Sequence, residues 1–174
     1  MARSRYYIKT KNNGVYEKVK FRKWNLKTDY EFLTKWWQQW DFGIVPTECL
    51  PPLGIMIEKE DNPICGGGLY IGQGTAFGFM EWVVRDKNIS DRDSHKALKI
   101  CIDELCKLAV DNECKLVYTV TGTEALQKRY VKYHNFELAE NNTKTFVYDI
   151  EDKYKDKEFI QDEIEFNKKY HINK

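Results

Sequence analysis

A chain of 174 residues, 42% of them apolar and 14% aromatic, has the length of one domain and enough apolar content for a core, which excludes disorder as the default. No stretch reaches the roughly 18 apolar residues of a membrane span, and the start MARSRYYIKTKNNG lacks the apolar segment of a secretory signal. The net charge of +1 conceals an asymmetry: residues 1–27 carry nine Lys/Arg against Glu17 alone, a balance of +8, while the remainder holds nineteen cations against twenty-six carboxylates, or −7.

Asn13-Gly14, between Tyr6-Tyr7-Ile8 and Val15 to Trp24, marks a β-hairpin, because both central residues of such a turn need positive φ. In the second arm Val19-Lys20-Phe21-Arg22 alternates apolar and basic, so one face packs and the other shows cations to solvent. A helix follows, capped by Thr28 or Asp29, with Tyr30, Leu33, Trp36, Trp37 and Trp40 at helical spacing. Its tryptophans either line a pocket that stacks a flat ligand or pack on the sheet. Pro46, Pro51 and Pro52 make 41–52 a loop.

Strands are expected over Leu53 to Glu58, Ile64 to Ile71 and Phe77 to Val84, turned at Glu60-Asp61-Asn62-Pro63 and Gly72-Gln73-Gly74. They read as an antiparallel meander, and Gly66-Gly67-Gly68 signals a bulge or a close backbone approach. Residues 94–110 form an amphipathic helix with Ser90 and Asp91 as candidate caps. Lys115 to Val120 is a buried strand, Glu124 to His134 a helix ended by a left-handed Asn135, and Thr145 to Ile150 a last strand. Residues 151–174, charged with interspersed aromatics, read as a terminal helix that docks partly or pairs with another chain, which would make a homodimer. The class is α/β (α+β): a mixed, mostly antiparallel sheet with helices on both faces. Residues 1–150 form one domain, with 151–174 as a charged helical extension.

Five cysteines, an odd number without C-x-x-C spacing, point to reduced thiols in the cytoplasm. Three scattered histidines complete no metal-ligand pattern, so no metal site is expected.

The chemistry concentrates where the strand ending Glu81-Trp82-Val83-Val84 runs into the long helix. Orphan N–H groups and the helix dipole make such a junction an anion site, and Arg85, Lys87, Arg92 and Lys96 surround it. The competing reading is a solvated loop whose cations are balanced by Asp86, Asp91 and Asp93.

The element order, with Lys35-Trp36-Trp37-Gln38-Gln39-Trp40, Leu50-Pro51-Pro52, Gly67-Gly68-Leu69-Tyr70, Glu81-Trp82-Val83-Val84, Ala125-Leu126, Tyr130 and Asn135-Phe136, resembles the GNAT superfamily of acyl-CoA-dependent N-acyltransferases, and in particular a phage-borne branch of it. The resemblance spans about 19–150. It implies an N-acetyltransferase that uses acetyl-CoA or another acyl-CoA, in which an amine attacks the thioester directly. Val83 and Val84 would pair with pantetheine along the backbone, and the N–H of Val84 would polarise the carbonyl. Arg85, Arg92, Ser94, His95 and Lys96 would meet the phosphates. Glu81 would be the base, and Tyr130 or Tyr133 the acid. Trp37, Trp40 and Phe42 would wall the acceptor site, with Asp41 and Glu48 within reach of it. Read without the resemblance, Glu81 is a strand-surface charge and each Tyr a packing residue.

The family's cofactor loop, R/Q-x-x-G-x-G/A, finds no match here, because residues 85–96 contain no Gly. That leaves side-chain contacts to the phosphates, or no cofactor site. Two alternatives therefore stand beside the transferase. One is a DNA-base-modifying or DNA-binding phage protein that holds nucleic acid on the +8 hairpin through Tyr6, Tyr7, Tyr16 and Trp24; the hairpin is otherwise an ordinary solvated basic edge. The other is a non-catalytic relative, a virion component or host inhibitor. A phage-encoded enzyme would work in the host cytoplasm.

Overall fold

Residues 19–139, which the computed structural model describes, run through β1 (Val19–Lys23), α1 (Leu26–Gln39), a short 3-10 turn (Thr47–Cys49), β2 (Leu53–Lys59), β3 (Asn62–Ile71), β4 (Phe77–Arg85), α2 (Asp91–Asp111), β5 (Leu116–Tyr118) and α3 (Glu124–His134). All these elements lie in the first of two units, Met1–Glu137; the second is Leu138–Lys174. The first hairpin arm with Asn13-Gly14, the strand at Thr145 to Ile150 and the terminal helix fall outside the described residues.

The sheet has the order β1-β2-β3-β4-β5. Neighbours are antiparallel through β4, as the meander predicts, and β5 is parallel to β4. A two-residue turn at Glu60 and Asp61, both with positive φ, joins β2 to β3. Side chains alternate between two cores. Ile57, Leu69 and Met80 join Ile102 and Leu105 of α2 on one face. Met56 and Val84 join Leu33, Trp36 and Trp37 of α1 on the other. The helices thus cover both faces, as expected, and Trp36 and Trp37, each 1% exposed, pack on the sheet.

The cap of α1 lies three residues before Thr28 and four before Asp29, the expected caps. Asn25 is the N-cap: its side chain accepts from the Lys27 N–H at 3.2 Å, and buried Asp29 reaches back to the Asn25 N–H at 2.6 Å. This reciprocal pairing satisfies two orphan donors. The cations of β1 also depart from expectation. Arg22 donates to both oxygens of Asp29, at 2.6 and 2.8 Å, and to Glu58 at 2.6 Å, and Lys20 pairs with Asp61. Neither is offered to solvent as a bare charge, which removes two of the cations the nucleic-acid reading used.

The indole of Trp24 lies flat on the glycines of β2 and β3. A Cβ on Gly68 would stand 2.4 Å from the Trp24 ring and 2.5 Å from Pro51 Cγ. We expect Gly68→Ala to cost about 1–3 kcal/mol through overpacking, read as a lower denaturant midpoint. Gly43→Ala, which meets nothing within 4 Å, should leave the midpoint unchanged.

Candidate active site

Pairing between β4 and β5 stops early. Phe77, Gly78 and Phe79 oppose Leu116, Val117 and Tyr118; beyond them β4 continues to Arg85, while the other chain turns through 119–123 into α3. From Met80 onward that edge of β4 has no strand beside it among the described residues. A bulge sharpens the divergence. Gly66 opposes Val84 and Gly68 opposes Glu81, so Gly67 faces two residues, Trp82 and Val83. Trp82 takes φ +60°, a conformation that costs a bulky residue about 1–3 kcal/mol and collects at functional sites. The extra residue also shifts the side-chain phase: Val83 turns to the α2 face beside Leu105 and Gly67, whereas Val84 joins the α1 core. The expected glycine bulge is therefore present, and its strained partner is Trp82.

A cleft of about 660 Å³ opens in the divergence. Trp37, Trp40, Phe42 and Trp82 line it from the α1 side, and Ser94, Leu98, Leu126, Arg129 and Tyr130 from α2 and α3. Glu81 sits in its wall between the diverging strands. Burial pushes its carboxyl above the ordinary carboxylate value, opposed by the N–H groups of Trp82 and Val120; the Trp82 bond is 3.3 Å. Tyr130, 4% exposed, presents its hydroxyl 3.5 Å from Thr119 Oγ1, and burial raises its phenol well above the usual value. Tyr133 is instead 41% exposed, stacks edge-on against His95 and is not among the lining residues. Asp41 and Glu48 are exposed and lie outside the lining as well.

The expected phosphate ligands divide. Val83, Val84, Arg85 and Ser94 line the cleft; Arg92, His95 and Lys96 do not. The N-terminus of α2 is also partly capped. The helix starts at Asp91, and its Ser90 cap accepts from the Asp93 N–H at 3.1 Å. Ser90 Oγ donates to Asp93, which pairs with Lys59 at 2.9 Å. The first turn thus carries two carboxylates, Asp91 and Asp93, and one of its N–H groups is already capped, which disfavours an anion there.

Arg129 is the residue that sequence reasoning missed. Its Nη1 donates to His95 Nδ1 at 3.2 Å and to the His95 carbonyl at 3.3 Å, so His95 anchors Arg129 to α2. Burial, then the charges of Arg129, Lys99 and Lys132, hold the His95 imidazole below its usual value, consistent with Nδ1 as acceptor. The Arg129 guanidinium is itself lowered, first by burial and also by the like charge of Arg85. The available signal was positional: Ala125, Leu126, Arg129 and Tyr130 fall at i, i+1, i+4 and i+5 on one helical face. Arg85 packs its guanidinium 4.6 Å over the Trp40 ring, and Trp40 Nε1 donates to the Arg85 carbonyl at 2.9 Å. Neither arginine bonds a carboxylate among the described residues, so two guanidiniums line the cleft there. No group of three or more His, Cys, Asp or Glu among the described residues is placed to hold a metal, and no described helix is long and apolar enough to cross a membrane.

No protein-family model matches the sequence, and no curated protein matches it. Solved structures match in fold. Rv2747 from Mycobacterium tuberculosis, in complex with CoA and NLQ, aligns with a TM-score of 0.56 at 17% identity over 81% of this chain and 87% of its own. A GNAT-family acetyltransferase from Streptococcus pneumoniae aligns at 0.55 and 12% identity over 75% and 98%. An aminoglycoside acetyltransferase from an uncultured soil metagenomic sample, in complex with sisomicin, aligns at 0.56 and 13% identity over 76% and 96%. The chain has the fold of the GNAT acetyltransferases, a mixed, mostly antiparallel sheet flanked by helices.

Proposed function

We propose that the chain is an acyl-CoA-dependent N-acyltransferase, most simply an acetyltransferase, with an amine as acceptor. The observation that carries this reading is the placing of Glu81 and Tyr130, one buried carboxyl and one buried phenol, in the walls of a single cleft at the divergence of β4 and β5. The residues suit a CoA-like group by side chain rather than by a glycine loop. The unpaired β4 edge at Val83 and Val84 would hold the pantetheine arm, and Arg85, Arg129 and the Ser94 hydroxyl would meet the phosphates, for which guanidinium forks are well shaped. An acyl-CoA supplies an activated thioester carbonyl. Glu81, its proton affinity raised by burial, takes the proton of the incoming amine. Burial favours the neutral phenol of Tyr130, which holds a proton for the departing sulfur. The N–H expected to polarise the carbonyl oxygen does not do so: Val84 opposes Gly66 two residues from the Asp86 N–H bond to Ile64, so its N–H faces β3 rather than the open edge.

Thermal shift with acetyl-CoA tests the reading. A ligand that binds only the native state at 100 times its Kd stabilises it by about 2.7 kcal/mol, so the Tm should rise clearly near 1 mM for any Kd of about 10 μM or below. Arg85→Ala/Arg129→Ala should abolish the rise and Arg92→Ala should preserve it. An unchanged Tm for the unaltered chain would favour a non-catalytic relative.

A further inference from the structure

We infer, resting on the transferase reading, that the acceptor is a small primary amine with a single positive charge on an apolar body of aromatic size. Charge decides the first half. Among the described residues Glu81 is the one carboxylate that lines the cleft. Arg85 and Arg129 line it as well, and Lys87 Nζ stands 5.2 Å from the ring of Trp40. An amine therefore finds one partner for one charge, whereas a second ammonium finds no carboxylate among the described residues and meets cations instead. The ring of Trp40 adds no recognition of cations, because Arg85 and Lys87 of this chain already approach it.

Wall chemistry decides the second half. Glu81 pairs across the strands with Gly68, whose missing Cβ points at Trp24, so its side chain belongs to the α1 face. There the described lining is Trp37, Trp40, Phe42, Trp82 and Val84, with the Arg85 guanidinium over the Trp40 ring and no hydroxyl or amide side chain. Lining hydroxyls such as Ser94 and Thr119 stand on the α2 helix and the β5 side. A sugar amine seated beside Glu81 would leave hydroxyl groups without partners, which is costly in a desolvated site. An apolar ring loses nothing there. Trp82 is a fixed wall: its Nε1 donates to Tyr70 Oη at 2.8 Å, and its ring packs edge-on against Trp37 at 5.9 Å. Phe42, 53% exposed and following Asp41 in the left-handed region at φ 57°, is the apolar group free to close on a ligand.

The test is a competition among amines with the full chain. CoA binding is first measured by calorimetry. Acetyl transfer to 2-phenylethylamine, tryptamine, spermidine, kanamycin and glucosamine 6-phosphate is then followed by thiol release and product mass. We expect kcat/KM for the two arylalkylamines to exceed that for spermidine and both sugar amines by about tenfold or more. Phe42→Ala should lower the arylalkylamine value about tenfold, again the scale of a lost apolar contact, with CoA affinity and Tm unchanged. CoA binding together with preferred acetylation of spermidine or of a sugar amine would overturn the inference and leave the transferase standing. CoA binding with no transfer to either arylalkylamine would overturn it as well. Absence of CoA binding would remove the transferase reading and this inference with it.

Discussion

Glu81→Gln should lower kcat by about 10²- to 10⁴-fold, the span that a positioned general base contributes, with the chain still folded and acetyl-CoA binding kept. Gln keeps the shape and can still accept from the Trp82 N–H, which the Glu81 carboxylate now does at 3.3 Å, but it cannot take a proton. The pH profile carries the same signature. Burial raises the Glu81 pKa above the ordinary carboxylate value, so the acid limb of kcat/KM lies above the ordinary range, and activity falls as pH drops through it. Stability moves the other way. A carboxyl whose folded pKa exceeds its unfolded pKa binds more protons in the native state. Stability is therefore lost as pH rises from the unfolded value through the folded one. At neutral pH the glutamine variant should melt higher than the unaltered chain, and at pH 4 the difference should vanish. A variant that keeps full turnover, or one less stable at neutral pH, would remove Glu81 as a buried base.

The second large effect is structural. Arg22→Ala should destabilise the chain by about 3–5 kcal/mol, the cost of leaving a buried ion without its partner. Asp29 is 1% exposed, and both its oxygens receive the Arg22 fork; Glu58 receives Nε. The guanidinium thus ties β1 to α1 and β2. Arg22→Lys should recover only part of the loss, because a point charge cannot serve three acceptors in one plane. Denaturant unfolding of the two variants measures both. A loss under 1 kcal/mol for Arg22→Ala would mean that Asp29 finds another donor or water.

The sequence was most legible where local chemistry decides the outcome. Asn135 ends α3 in the left-handed region at φ 55°, and Ser90 caps α2, because capping depends on a few adjacent residues. The start of α1 was misjudged because Thr28 and Asp29 are good caps in isolation, yet Asp29 serves better inside the first turn, where it reaches back to the Asn25 N–H and holds Arg22. Strand β5 was overextended for a different reason. Its apolar character continues through Val120, but pairing needs a neighbour, and the departure of β4 is not written in the hydrophobicity of 115–120. Three glycines announced the bulge, though not that the residue forced into the left-handed region would be Trp82 on the opposite strand.

The candidate site divides along the same line. Glu81, Tyr130, Arg85 and Trp37 could be named from the chain because each lies on a strand or helix the sequence defines well, and Phe42 because it follows the tryptophans of α1 into the loop. At the expected anion site, the N-terminus of α2, the Ser90 hydroxyl takes the Asp93 N–H and donates to the Asp93 carboxylate. Further positive charge at the cleft comes from Arg129, on a helix remote in sequence and held by His95. Tertiary approach of that kind leaves only a positional trace.

The most direct test of the account is a crystal structure of the chain with CoA. It predicts density for the pantetheine arm along the unpaired β4 edge at Val83 and Val84, with phosphates against Arg85 and Arg129 and the sulfur near Tyr130. Density at the Asp91 end of α2 without contact to Arg129, or an empty cleft at saturating CoA, would contradict it.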